Sequence, residues 1–233
     1  MVHWHQIPKP RVIPVQGEMS IVGAPDDAFR RLVASWTRNQ DDILLGFVWD
    51  AYDQMRTNPP AVDQRDLERS ISQLLEPRIR AAMTGYEPFY IQHGPYERET
   101  MASPPAQPPQ YDLAFVFAAE ERIMWPLEAK VMETPGTVAE YERDVRDQFL
   151  KCRYAPFTPG GAMLGYLLTG SAAEALDHIQ AKLGSKLERV ATFASRPHRV
   201  STHARIVPTG KEYSAAFRCH HLVLEYHGLR RGP

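Results

Sequence analysis

The sequence predicts an α/β fold in which helices flank a mixed central β-sheet. Three observations lead there. Up to Thr84 the apolar residues recur at helical spacing. Beyond Gly85 short strand-like runs take over. Two further helical stretches separate those runs. The 233 residues are 43% hydrophobic and 24% charged, enough for one sizeable core in one or at most two domains. The division expected is an N-terminal arm and helical extension over 1–60, followed by the main domain over 61–233.

Pro8, Pro10, Pro14 and Pro25 mark residues 1–25 as an extended arm. From Asp26 to about Arg56 the spacing of Phe29, Leu32, Val33, Trp36, Ile43, Leu44, Phe47, Val48 and Ala51 is helical. Asp26 and Asp27 suit its start, and Pro59-Pro60 ends the region. A second helical stretch runs from about Asp63 to Thr84. Its stripe is Leu67, Ile71, Leu74, Leu75, Ile79 and Met83, Gly85 stops it, and Pro77 should kink or split it. Phe89–Ile91, Tyr111–Phe117 and Arg122–Val131 read as strands, with a proline-rich irregular loop over Ser103–Pro109. A helix follows over about Val138–Cys152, with Tyr141, Val145 and Phe149 on one side. Then come a strand over Ala162–Thr169, a helix from Ser171 to about Leu183, a short strand around Val190–Phe193 and a last strand over His221–Tyr226.

Composition and termini exclude several classes. No apolar run reaches the roughly 18 residues of a membrane span, and no membrane association is expected. Met1-Val2-His3-Trp4-His5 does not read as a signal peptide. Cys152 and Cys219 lie far apart and form no disulfide framework, so a cytoplasmic setting is expected. Net charge is −1, whereas a protein living by non-specific DNA affinity is usually more basic. The charge is uneven: Lys182–Lys211 holds seven Lys and Arg side chains against Glu188 alone. Such a segment suits either a phosphate backbone or a solvated basic surface.

The chemistry concentrates in Gln110-Tyr111-Asp112-Leu113-Ala114-Phe115-Val116-Phe117 and Trp125-Pro126-Leu127-Glu128-Ala129-Lys130. Side chains alternate faces along a strand. The odd positions of both runs are large and apolar apart from Ala129. Asp112, Glu128 and Lys130 share the even face. If the two strands pair, about 4.8 Å apart, Asp112 and Glu128 converge on one hard cation, with Lys130 beside them. Two carboxylates and a backbone carbonyl, that of Ala129, make an oxygen set suited to Mg²⁺ or Mn²⁺, whose bound water becomes a nucleophile. The same three residues also suit a salt bridge at a sheet edge.

The arrangement resembles the PD-(D/E)XK, or restriction-endonuclease-like, nuclease superfamily over about Asp63–Thr169. The acidic residue falls in the second core strand and Glu-x-Lys in the third. Tyr111 stands where the proline of the name would be. The resemblance implies a restriction-endonuclease-like core with Asp112, Glu128 and Lys130 catalytic. It adds a further helix glutamate, for which Glu68 is the candidate and Glu76 the rival. It implies metal-dependent hydrolysis of phosphodiester bonds in DNA, RNA not being excluded. Endonuclease action is expected rather than exonuclease action, because Gln148 is followed by Cys152 where an exonuclease-like Gln-x-x-x-Tyr element needs Tyr. Segments around Arg153–Ala155, Gly160–Tyr166 and His220–Tyr226 look like those of bacterial nuclease-like proteins, many of them encoded in phage-defence neighbourhoods. Expected partners are therefore DNA and either a second copy, as a homodimer, or a larger defence complex. The alternative is a non-catalytic nucleic-acid-binding or assembly subunit on the same fold.

Other motifs carry little. His198, His203, His220 and His221 fit no common zinc spacing. Ser201, His203 and Arg205 on one face of a strand-like run suit either a phosphate or a polar loop. Gly160-Gly161 reads as a turn before a strand. Trp4, Trp36, Trp49 and Trp125 read as packing residues.

Overall fold

The computed structural model describes residues 25–36, 40–58, 62, 65–99 and 108–227. The predicted arm up to residue 24 with Trp4, the Trp36 side chain, Pro59-Pro60, and residues 103–107 of the proline-rich loop lie outside them. Three helices come first: α1 (Asp27–Trp36), α2 (Asp41–Thr57) and α3 (Leu67–Ala82). The single helical region expected from Asp26 to Arg56 is thus two helices. Asp26 starts the first, its side chain accepting the Phe29 N–H at 2.8 Å. Asp66 caps α3, which is not split at Pro77. Leu67, Ile71, Leu75 and Ile79 are buried on both sides of the proline. That packing outweighs the one backbone hydrogen bond Pro77 removes.

The sheet follows: β1 (Phe89–His93), β2 (Leu113–Phe117), β3 (Met124–Met132), β4 (Gly160–Leu167), β5 (Glu188–Arg189), β6 (His198–Ala204) and β7 (Ala216–Glu225). Helix α4 (Ala139–Asp144), continuing as a π-helical turn over Val145–Phe149, joins β3 to β4, and α5 (Ala172–Leu183) follows β4. The strand order is β1-β2-β3-β4-β7-β6-β5. β3, β4 and β7 are parallel, and the other neighbours are antiparallel. The predicted mixed sheet is therefore present. Leu113, Phe115, Trp125, Leu127 and Leu164 pack with α1, α2 and α3 on one face. Ala114, Val116, Met124, Met163 and Val223 pack with α4 and α5 on the other. Among the described residues, no helix is long and apolar enough to cross a membrane.

Three local expectations are corrected. Ala191–Phe193 is a 3₁₀ turn, not a strand. Val190 and Phe193 are both buried, and three-residue spacing brings them to one side of such a turn. Gly160 and Gly161 open β4 rather than forming a turn before it. A Cβ on Gly161 would lie 3.1 Å from Phe149 and Pro126, so the strand needs glycine to pass beneath them. The polar run from His198 to Ala204 is a full strand.

That strand is held by a buried histidine network. The Trp49 indole N–H points to His198 Nδ1 at 3.4 Å, His198 Nε2 lies 3.0 Å from His220 Nδ1, and His220 Nε2 lies 3.1 Å from Asp41. His221 bridges the Tyr141 hydroxyl at 3.0 Å and Ser201 at 2.7 Å. Ser201 also meets His203 at 2.6 Å. Burial, and then the neighbouring histidines, pull His198 down to about 2 and His221 down to about 3.

Arg205 does not face solvent. It is buried and donates to the carbonyls of Phe149, Ala155, Thr158 and Tyr154 at 2.9, 2.8, 3.3 and 2.5 Å, with its guanidinium over the Phe217 ring. A phosphate contact by Arg205 is thereby ruled out. Arg196 pairs with Asp53 and Lys211 with Glu99, so two cations of the basic stretch are neutralised by acids outside it.

Two predictions follow from these networks. Arg205→Ala takes the guanidinium donor from the Tyr154, Ala155 and Thr158 carbonyls, the Phe149 carbonyl keeping the Cys152 N–H, and is expected to cost about 3–5 kcal/mol in urea unfolding. Arg205→Lys restores only part of that, because an ammonium lacks the planar fork. A loss of under about 1 kcal/mol in the alanine variant would show the guanidinium to be dispensable. The second prediction concerns acid. His198 and His221 are neutral in the fold and protonate on unfolding. Their contribution is complete above the ordinary value of 6.5 and is lost as pH falls towards their folded values. Each steepens the decline below that point by about 1.4 kcal/mol per pH unit. The raised acid Glu97 acts in the opposite sense, so the measurement is a difference. Urea unfolding of His221→Gln against wild type between about pH 7.5 and 4.5 should show the flatter slope in the variant. Parallel slopes would refute the assignment.

Candidate active site

β2 and β3 pair from Val116↔Met124 to Leu113↔Leu127, and there β2 begins. β3 runs on to Met132, paired on its other side with β4 as far as Leu167. On the β2 side the N–H groups of Ala129 and Val131 therefore meet no strand. Two carboxylates take the place of the missing carbonyls. Asp112, the residue before β2, accepts the Ala129 N–H at 2.8 Å through Oδ2. Glu68, in the first turn of α3, accepts the Val131 N–H at 3.2 Å through Oε2. A strand edge that would otherwise expose unpaired donors is satisfied by acidic side chains.

Lys130 lies between them. Its Nζ is 3.0 Å from Glu68 Oε1, 3.1 Å from Glu128 Oε1, 3.1 Å from Asp144 Oδ2 and 2.6 Å from the Ala129 carbonyl. Its side chain is 12% exposed, and that of Glu128 is 8% exposed. Burial pushes the Asp112 carboxyl up to about 6, Lys130 pulling the other way. Burial, then the charge of Asp112, pushes Glu128 well above the usual carboxylate range. Burial favours the neutral amine at Lys130, but Glu128, Glu68, Asp112 and Asp144 outweigh it and hold its pKa above the ordinary lysine value. Glu128 Oε2 is buried and has no hydrogen-bond partner, and the same is true of Gln148 Oε1.

All four sequence-predicted side chains, Glu68, Asp112, Glu128 and Lys130, thus meet at one place, with the Ala129 carbonyl. Glu76, the rival to Glu68, is paired instead with Arg80 one turn along α3, its side chain 17% exposed. Asp144 and Tyr154 escaped the sequence reading. Asp144 falls on the same stripe of α4 as Tyr141 and Val145, and an acidic residue on an inward stripe was the available signal. Tyr154 packs edge-on against Tyr111 and Phe149, and its hydroxyl donates to the Gln110 carbonyl at 2.5 Å. Burial, then the charges of Glu128, Asp112 and Asp144, raises its pKa. It follows Cys152, with φ 57°, and precedes Ala155, with φ 48°; both occupy the left-handed region. Three of the four carbonyls bound by Arg205 belong to this loop. Beside Asp112 and Glu68 a cavity of about 540 Å³ opens, lined also by Asp66, Arg69, His93, Gly94, Tyr96, Gln110 and Tyr111.

The donor set suits a hard divalent cation in chemistry: carboxylate and carbonyl oxygens, with one buried oxygen of Glu128 unpartnered. Among the described residues, no three His, Cys, Asp or Glu side chains are arranged to hold a metal ion by themselves. The Lys130 ammonium stands where they converge. Comparison with family models, with curated proteins and with solved structures gave no match.

The balance of charge is testable without a metal. With EDTA present, Lys130→Met should cost about 3–5 kcal/mol, because it strands several buried carboxylates. Glu128→Gln should be neutral or stabilising by about 1 kcal/mol, because it removes a buried acid from a surplus. Urea unfolding compares them. A large loss in Glu128→Gln would make that carboxylate a structural partner of Lys130 and nothing more.

Proposed function

We propose that this chain is a metal-dependent nuclease hydrolysing phosphodiester bonds of DNA, on a restriction-endonuclease-like core. The observation that carries the reading is the convergence of Asp112, just before β2, and Glu128, on β3, around the Lys130 amine, with one Glu128 oxygen buried and unpartnered. Asp112, Glu128 and the Ala129 carbonyl would hold Mg²⁺ or Mn²⁺. That cation supplies a polarised water and offsets charge at the phosphorus. Lys130 orients the attacking water and donates to the phosphoryl oxygen that gains charge. Glu68 and Asp144 hold the amine in place between them. A role in anti-phage defence, within a homodimer or a larger complex in the cytoplasm, belongs to the same proposal and rests on the sequence resemblance.

One observation favours a second reading. The Lys130 ammonium already contacts three carboxylates and the Ala129 carbonyl. A self-contained cluster of this kind would also suit a non-catalytic binding or assembly subunit. Metal response separates the two. Under the nuclease reading, plasmid or linear DNA is cleaved in Mg²⁺ or Mn²⁺. Glu128→Ala and Lys130→Ala each reduce cleavage by at least about a hundredfold, and Mn²⁺ raises the melting temperature of wild type but not of Glu128→Ala. Equal cleavage by all three proteins, or none together with no Mn²⁺ shift, would favour the subunit.

A further inference from the structure

We propose that the cavity beside Asp112 and Glu68 seats one unpaired nucleotide, with its phosphate on Arg69 and His93 and its base against Tyr96. The preferred substrate is accordingly a single strand or a frayed end. This rests on the nuclease reading for its purpose, but not for its geometry.

The acidic groups of the cavity are already engaged. Asp66 caps α3 on the Arg69 N–H, while Asp112 and Glu68 are tied to the N–H groups of Ala129 and Val131. The two basic groups are not. The side chains of Arg69 and His93 have no hydrogen-bond or salt-bridge partner among the described residues, although both line the same cavity. Glu76 is close enough to act on the His93 imidazole but is paired with Arg80; a guanidinium and an imidazole N–H lining one cavity make the donor set of a phosphate site. Burial, then the charge of Arg69, lowers the pKa of His93, so it offers a neutral N–H donor at physiological pH.

Tyr96 supplies the remaining element. Beyond β1 and β2 the two chains stay paired as an arm: Gly94 donates to Asp112, Glu97 donates to Pro109, and Tyr96 lies opposite Gln110. Gln110 is fastened to the Gly94 carbonyl, and Glu97 beneath is buried against the Tyr111 hydroxyl. The arm thus has a fixed root, yet Tyr96 is 48% exposed at the cavity wall. A large aromatic ring left open beside the unpaired Arg69 guanidinium is a stacking platform for a base. The cavity volume of about 540 Å³ lies within the roughly 300–1,000 Å³ that encloses one small-molecule-sized group. It takes one nucleotide and not a duplex.

The test is binding in EDTA, where no cleavage intervenes. Fluorescence anisotropy compares a labelled short oligothymidylate with a duplex of equal length, on wild type, Arg69→Ala and Tyr96→Ala. The expected result is at least about tenfold tighter binding of the single strand by wild type and about tenfold weakening in Arg69→Ala and in Tyr96→Ala. Melting temperatures should be unchanged, since both side chains are at the surface. Duplex binding as tight as single-strand binding, or unaltered affinity in both cavity variants, overturns the proposal. Cleavage assays of the same proteins in Mg²⁺ report separately on the nuclease. If Arg69→Ala loses the oligonucleotide while wild type cleaves nothing, the nucleotide site stands and the nuclease reading falls.

Discussion

The Lys130 ammonium is the charge on which the rest of the site depends. Four carboxyl groups gather around it at low exposure, and a buried carboxylate without compensation is among the most costly things a fold can contain. One amine cannot neutralise four acids. Burial raises the pKa of Asp112 and Glu128, and the neighbouring carboxylates add to it. A cluster in this condition takes up protons or cations wherever they are offered. A divalent ion binding there must first displace those protons, so affinity and pH are coupled.

The backbone explains why the acids are there at all. β3 is longer than β2, and the excess leaves donors on its open side. Asp112 and Glu68 cover them with one oxygen each, which fixes their orientation. Anchoring through a single oxygen leaves the other oxygen of Glu68 on the Lys130 amine. The same two contacts complete the sheet edge and pre-orient the site, so structural and chemical demands on these residues do not separate cleanly. Glu128 and Lys130 need no such anchor, because strand alternation alone turns them to the same side.

That alternation is why the central part of the site was legible in the sequence. Period two placed Asp112, Glu128 and Lys130 together before any coordinates, and the apolar stripe of α3 separated Glu68 from Glu76. Asp144 was not found, because α4 was read for its hydrophobic residues and an acid on that face carries no weight in such a reading. Arg205 was misjudged for a related reason: formal charge along a sequence says nothing about burial, and a guanidinium bonded to four carbonyls looks the same in one dimension as one in solvent. β6 escaped firm assignment because its inward positions include His198 and Ser201. A strand that buries histidines satisfied by one another shows no hydrophobic alternation.

Under the nuclease reading, the buried position of Arg205 changes where nucleic-acid affinity has to come from. Of the seven Lys and Arg side chains in the basic stretch, Arg196 and Lys211 are paired with Asp53 and Glu99, and Arg205 is spent on the loop that carries Tyr154. Those three hold the fold together rather than presenting cations to a phosphate backbone. The chain as a whole carries a net charge of −1, so long-range attraction to a polyanion is weak. Under the nuclease reading, Arg69 holds a strand at the rim without metal, and a divalent cation at the centre would draw its phosphate inward. Binding of the cation and binding of the strand then favour each other by the same factor, because linkage is reciprocal. A strand held first at the rim and drawn inward only when the cation is present meets the chemistry in that order.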